Sequence, residues 1–251
     1  MKNFVKFGRF VVLAAFVGGL AACSGPDTPG GIYDPFEAEN RVIHEGNKNL
    51  DRNLVKPVSN TYGSALPEPV RFGVSNFASN LSLPSTIMND LLQFKLADAL
   101  HNTGRFLLNS TVGLAGVLDP ATDAGLEPRP SDFGETLHVW GFKEGAYLEL
   151  AIVGPSTTRD AIGKAVDIVF DPMVLVVPAP ERYALPVVSA ASRLGDRFRF
   201  SGTVDSILYD SADSYSQARL LYLENRRFQL GQDDPTATDD ELYDLYEESY
   251  E

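Results

Sequence analysis

Residues 68–118 read EPVRFGVSNFASNLSLPSTIMNDLLQFKLADALHNTGRFLLNSTVGLAGVL. Apolar residues recur here at helical spacing: Val70, Val74, Phe77 and Leu81 lie at i, i+4, i+7 and i+11. That predicts a helix over 68–81, thinned on one face by Gly73. Pro84-Ser85 predicts the start of another, with Ile87, Met88, Leu91, Leu92, Leu96 and Leu100 apolar. Residues 102–118 carry Phe106, Leu107, Leu108, Val112, Leu114 and Val117 among Gly104, Gly113 and Gly116, with no charge between Arg105 and Asp119. The segment is helical in period and too interrupted to span a bilayer, which needs about 20 apolar residues in a row.

The flanks read the same way. Asp34, Pro35 and Glu37 predict a capping box opening a helix to about Leu50, with Phe36, Ile43 and Leu50 on its apolar face. Pro57, Pro67 and Pro69 predict broken structure over 55–69, and 119–132 reads as a loop. Residues 136–153 are extended in flavour, TLHVW and YLELAIV flanking the turn 141–145. Ser156 or Thr157 caps a helix through Val169. Pro172, Pro178, Pro180 and Pro186 fragment the next stretch and leave MVLVV (173–177) as a short apolar piece. A short helix fits 185–194, and a clear one fits 213–230, with Tyr215, Leu221, Tyr222, Asn225 and Phe228 on one face. Helical segments outnumber strand-like ones, so the class is mainly α.

The 251 residues hold 21 Lys and Arg against 34 Asp and Glu, a formal charge of −13. Such an acidic chain excludes sequence-independent nucleic-acid binding, which needs clustered cations. One Cys excludes an intrachain disulfide and any Cys-rich metal site. Residues 1–22 form a signal peptide: Lys2, Lys6 and Arg9 precede the apolar run 11–20. The run ends Leu20-Ala21-Ala22-Cys23, the lipobox of bacterial lipoproteins, in which the Cys23 sulfur receives diacylglycerol and its amino group a further acyl chain. Two or three chains, at about 0.8 kcal/mol per buried CH₂, hold a protein on a membrane. Ser24 in place of Asp favours the outer membrane, facing the periplasm of a Gram-negative cell. Residues 23–33 form a tether, 34–231 a helical domain, and 232–251 an acidic tail expected to be disordered. In that tail Leu242, Leu245, Tyr246 and Tyr250 sit at helical spacing, a candidate docking face.

Catalytic motifs are missing. Gly73-Val74-Ser75-Asn76-Phe77 lacks the second Gly of a nucleophile elbow, and His44, His101 and His138 have no metal-ligand spacing. The expectation is a non-enzyme that needs no cofactor beyond its lipid modification.

The strings DPFEAENR (34–41), LDRNLVKPV (50–58), LPEPVRFGVSNFASNLSLPSTIMNDLLQ (66–93), GRFLLNSTVGLAGVLDPAT (104–122), DFGETLHVWG (132–141) and GPSTTRDAIG (154–163) resemble the MlaA/VacJ outer-membrane lipoproteins. The chain departs from that family at Ala38 and Glu39, where Gly and an aromatic are usual. The resemblance implies amphipathic helices arranged as a ring around a central channel, with no spanning helix. It implies removal of phospholipid from the outer leaflet and its delivery to a periplasmic lipid-carrier protein, alongside a trimeric porin. A polar channel wall would then come from Asn76, Asn80, Asn89, Asn109, Ser110 and Thr111, for which helix capping and turn hydrogen bonding is the competing reading. A lid would come from the glycine- and aromatic-rich segment 133–153, through Phe133, Gly134, Trp140, Gly141 and Gly145, against ordinary packing. The alternative function is a structural or adaptor lipoprotein that scaffolds porins or an envelope complex through its tail.

Overall fold

The computed structural model describes residues 31–232. The signal peptide, Cys23, most of the tether and nearly all of the acidic tail lie outside the described residues. Helices dominate, and among the described residues none is long and apolar enough to cross a membrane.

The chain opens with α1 (Glu37–Leu50), a π-helical turn over Asp51–Val55 and α2 (Lys56–Ala65). The break expected over 55–69 is thereby confined to residues 66–67, and 56–65 is a helix. In the wide turn the Lys56 N–H bonds the Asp51 carbonyl five residues back, which makes room for Pro57 at the start of α2. The expected capping box is also absent. Phe36 occupies the N-cap with no side-chain bond, because Asp34 is taken by Asn40 at 2.9 Å and by Tyr215 and Arg219 of the last helix.

The 25-residue α3 (Glu68–Leu92) replaces the two helices expected from Pro84. An interior proline costs about 3 kcal/mol, but both flanks are clamped. Asn80 bonds Ser110 at 3.0 Å, and Asn89 bonds Asp167 at 3.0 Å. The break falls instead at residues 93–95, before α4 (Leu96–Thr111), so Leu96 and Leu100 belong to the next helix. Phe94 makes this turn at φ 59° while 86% exposed, a left-handed conformation that costs a non-glycine residue about 1–2 kcal/mol. The Asn80–Ser110 and Asp90–Asn102 bonds show that α3 and α4 form an antiparallel helical hairpin.

A one-turn helix, α5 (Pro120–Asp123), interrupts the expected loop, capped by Asp119. TLHV, expected to be extended, lies in α6 (Phe133–Val139). The Asp132 carboxylate accepts from the Glu135 N–H at 2.8 Å and starts a helix there, where four residues of alternation carry little weight. YLEL is a strand as expected: β1 (Tyr147–Leu150) pairs antiparallel with β2 (Gly154–Thr157), Tyr147 opposite Thr157. Thr157 caps α7 (Thr158–Val169). A short α8 (Pro172–Val176) takes the MVLVV piece. α9 (Leu185–Arg199) outlasts the expected 185–194, because Arg197 near its end is fixed by Asp51 at 2.8 and 2.9 Å. A short α10 (Ser201–Asp205) and a second π turn (Ser206–Asp210) lead to α11 (Ser214–Gln229), capped by Asp213 at its expected start.

The apolar core is small: Tyr147, Tyr215 and Leu223, with Tyr222 against them, where the β1–β2 pair meets α11. Among the described residues, buried polar and charged side chains outnumber buried apolar ones, nineteen to seven. The α1 face that packs inward carries Asn40 and His44, while Phe36, expected on the buried face, is half exposed. Asn40 accounts for this by holding the edge of β1 that faces away from β2, donating to Tyr147 O at 3.1 Å and accepting from Glu149 N at 2.9 Å.

Candidate functional site

Polar side chains organise the α3–α4 hairpin and the loop that returns beneath it. On α4 the buried positions Ala99, Asn102, Arg105 and Asn109 step by three or four, so they form one inward stripe. Leu96, Leu100 and Leu107 occupy the other side at 65%, 75% and 58% exposure. The helix is amphipathic with its polar face on the protein and its leucines outward. Leu91, Leu92, Phe94, Val112, Leu114 and Leu118 extend the exposed apolar surface at both ends of the hairpin.

Each polar residue of the inward stripe is hydrogen-bonded, with Asn102 Oδ1 and Arg105 Nε left without a partner. Asn102 donates to Asp90 at 2.8 Å and to the Arg129 carbonyl at 3.0 Å. The Arg105 guanidinium, 5% exposed, holds Asp119 at 3.0 and 3.1 Å, reaches Thr122 at 3.1 Å and also donates to the Leu126 carbonyl. Asn109 donates to Asp119 at 2.7 Å and accepts from Ala121 N at 3.0 Å. Burial alone would raise the Asp119 carboxyl, but the Thr122, Asn109 and Arg105 hydrogen bonds outweigh it and hold the group below the usual carboxylate range.

Between α3, α4 and the 119–130 loop these residues leave a cleft of about 290 Å³. Asn76, Asn80 and Asn109 line it with Arg105, Asp119 and Arg129. Ser110 is beside it, accepting from Asn80. Thr111 is exposed and bonds back to the Leu107 carbonyl at 2.7 Å. Asn89 lies two turns further along α3, bridging Asp167 and Thr136 where α6 and α7 meet. The three charged residues escaped the sequence reading, although one signal for them was present: Arg105 and Asp119 bracket the uncharged run they join.

The segment 133–153 is held from several sides. Phe133 and Trp140 pack edge to face at 5.7 Å, and Trp140 Nε1 donates to the Leu92 carbonyl at 3.1 Å. Gly134 is a point of close approach: a Cβ there would fall 2.6 Å from Asp160 Oδ1 and 2.8 Å from Arg226 Nη2. Gly141 (φ 88°) and Gly145 (φ 76°) make left-handed turns before β1. Burial pushes the Asp167 carboxyl up despite bonds from Phe133 N and Asn89, whereas Arg226 and Tyr222 outweigh burial at Asp160 and hold it down. Among the described residues no cluster of three His, Cys, Asp or Glu could hold a metal ion.

The family profile described as MlaA lipoprotein matches residues 32–229. An Escherichia coli protein named intermembrane phospholipid transport system lipoprotein MlaA is 32% identical over 214 residues, 82% of each chain. An uncharacterized protein of Rickettsia felis is 30% identical over 189 residues, 75% of this chain and 74% of its own. A structure solved in work on the structural basis for maintenance of bacterial outer membrane lipid asymmetry aligns with a TM-score of 0.66 at 29% identity, covering 78% of this chain and 98% of that one.

Proposed function

The chain belongs to the MlaA lipoprotein family, and from that premise we propose that it is an outer-membrane lipoprotein of intermembrane phospholipid transport. In this reading it removes phospholipid from the outer leaflet and passes it to a soluble periplasmic carrier, beside a porin, and makes or breaks no covalent bond. The observation that carries the reading is the orientation of α4. In water, a stripe of Leu96, Leu100 and Leu107 turned outward forfeits about 1.5–3 kcal/mol for each side chain left unburied. Against acyl chains that penalty vanishes, and a polar interior with an apolar exterior becomes the stable arrangement. Helices of which none, among the described residues, is both long and apolar enough to span, with an anchor at acylated Cys23, suit residence within one leaflet.

The cleft supplies the other half. A phospholipid leaving a leaflet keeps its tails on apolar surface while its headgroup needs hydrogen-bond partners. Asn76, Asn80 and Asn109 provide these in the cleft behind the leucine face. Segment 133–153 serves as the lid, turning at Gly141 and Gly145. The ring of helices around a central channel belongs to the same proposal.

Deletion of the gene tests the function. Surface-exposed phospholipid, read with a membrane-impermeant amine reagent, should rise together with detergent sensitivity. Unchanged outer-leaflet lipid overturns transport, and envelope partners co-purifying with lipid-free protein would favour the adaptor role. Cys23→Ala should abolish incorporation of labelled fatty acid into the protein, and a variant labelled as strongly as the parent would refute acylation at Cys23.

A further inference from the structure

The cleft behind α4 carries opposed charges, and their arrangement bears on which headgroup it accepts. Arg105 is buried and committed to Asp119 through two bonds at 3.0 and 3.1 Å. Arg129 differs: it stands at the cleft with its side chain 51% exposed, turning Nη1 to Asp98 at 2.7 Å. Asp119 already accepts from Arg105, Asn109 and Thr122, yet 26% of its side chain stays open, so a cation can meet its charge there without displacing a bond. Asn80 spends its amide nitrogen on Ser110 and the Ala115 carbonyl, while its buried Oδ1 accepts no bond. The site therefore has a half-exposed cation held by one partner, a fixed carboxylate edge, and a spare acceptor. Within the lining Arg105 is balanced by Asp119, and Arg129 is balanced by Asp98 from outside the cleft.

We propose that this cleft is a headgroup subsite selective for zwitterionic phospholipid, with Arg129 on the phosphate and the Asp119 edge on the ammonium. The proposal rests on the phospholipid-transport reading and adds the substrate class. A headgroup bearing both charges leaves the balance intact and offers each wall group an opposite partner. A purely anionic headgroup brings an uncompensated negative charge beside Asp119 and Asp98. A guanidinium meets a phosphate through charge-assisted, two-pronged hydrogen bonds, which an amide at residue 129 cannot make. At about 290 Å³ the cleft is at the small end of ligand sites, room for one headgroup with the acyl chains left outside against the leucine face.

The test uses the full-length acylated protein in neutral-detergent micelles. It is titrated with three dihexanoyl probes: phosphatidylethanolamine, phosphatidylglycerol and diacylglycerol, which has no phosphate. Phosphatidylethanolamine should bind about tenfold more tightly than phosphatidylglycerol, and diacylglycerol should show no saturable binding. Arg129→Gln should weaken phosphatidylethanolamine about tenfold, ~1.4 kcal/mol, and Arg129→Lys should recover part of the loss. Exposure of Arg129 keeps both variants folded, checked by unchanged melting. Equal affinity for the two phospholipids, or an unaltered Arg129→Gln titration, overturns the subsite. If diacylglycerol binds as well as either, the subsite falls while lipid transport stands. If no probe binds, both readings fall.

Discussion

Gly163→Ala tests whether α6 and α7 meet as closely as the structure has them. A Cβ at residue 163 would lie 2.4 Å from Gly134 N, 2.7 Å from Gly134 Cα and 3.0 Å from the Phe133 carbonyl carbon. All three are backbone atoms, so no side chain can swing aside and the helices must part by about an ångström, since van der Waals contact lies near ~3.5 Å. That movement pulls on Arg226, which ties Asp132 at 2.7 and 2.9 Å to Asp160 at 3.0 and 3.1 Å across the same junction. Alanine in a helix interior gains about 1 kcal/mol over glycine. Overpacking costs about 1–3 kcal/mol, and one weakened charge-assisted bond about 1.5–3 kcal/mol more. The net is a loss of about 1.5–5 kcal/mol, or a fall in Tm of roughly 3–20 °C for a chain of this size. Gly46→Ala is the matched control. It too lies inside a helix, but nothing stands within 4 Å of the added Cβ, so helix propensity acts alone and Tm should rise by roughly 2–4 °C. Far-UV circular dichroism melts of both variants in one detergent decide the matter. If Gly163→Ala melts at or above the parent, the close approach is wrong, and with it the account of why glycine stands at 134 and 163.

Asp160, which is buried, and Asp167, which is half-buried, should respond to pH in opposite senses. The carboxyl of Asp160 sits below its ordinary value of about 3.9, because Arg226 and Tyr222 overcome burial, so its contribution is present above that pH and lost as pH falls through the folded value. Asp160→Asn should cost about 3–5 kcal/mol at pH 7, with the gap to the parent narrowing below pH ~4 in urea unfolding. Burial holds the Asp167 carboxyl above its ordinary value, so its contribution is full at low pH and lost as pH rises through the folded value. Asp167→Asn should be neutral or stabilising at pH 7 and lose that advantage near pH ~4, and a large loss at neutral pH would contradict this. Valine at Gly141 or Gly145 forces a β-branched residue into a left-handed turn at about 1–2 kcal/mol. At Gly145 the new Cβ also meets Thr158 Cβ at 2.8 Å, whereas Gly141 faces open space. Gly145→Val should therefore melt lower than Gly141→Val, and Gly141→Val should impair detergent resistance with little loss of stability. Unaltered detergent resistance and melting in both variants would remove the lid.

Local features were legible from the residues alone. Thr157 and Asp213 start α7 and α11 because a short side-chain oxygen satisfies backbone N–H groups of the first turn wherever the helix then packs. The class, the absence of a spanning helix in 31–232 and the family strings could be read for the same reason: each depends on neighbouring residues. Long-range contacts settled the rest. Pro57 and Pro84 read as breaks, yet a π turn relieves one and clamps from α4 and α7 hold the other inside its helix. The clearest case is α4. Its period reports that Leu96, Leu100 and Leu107 share a side with one character and Asn102, Arg105 and Asn109 a side with another, and is silent on which side meets the protein. Periodicity is a property of one helix, whereas inside and outside are set by what surrounds it. Only the partners of Asn80, Arg105 and Asn109 turn the polar stripe inward, and so bring Arg105 of α4 to one cleft with Asp119 and Arg129 of the loop that follows it.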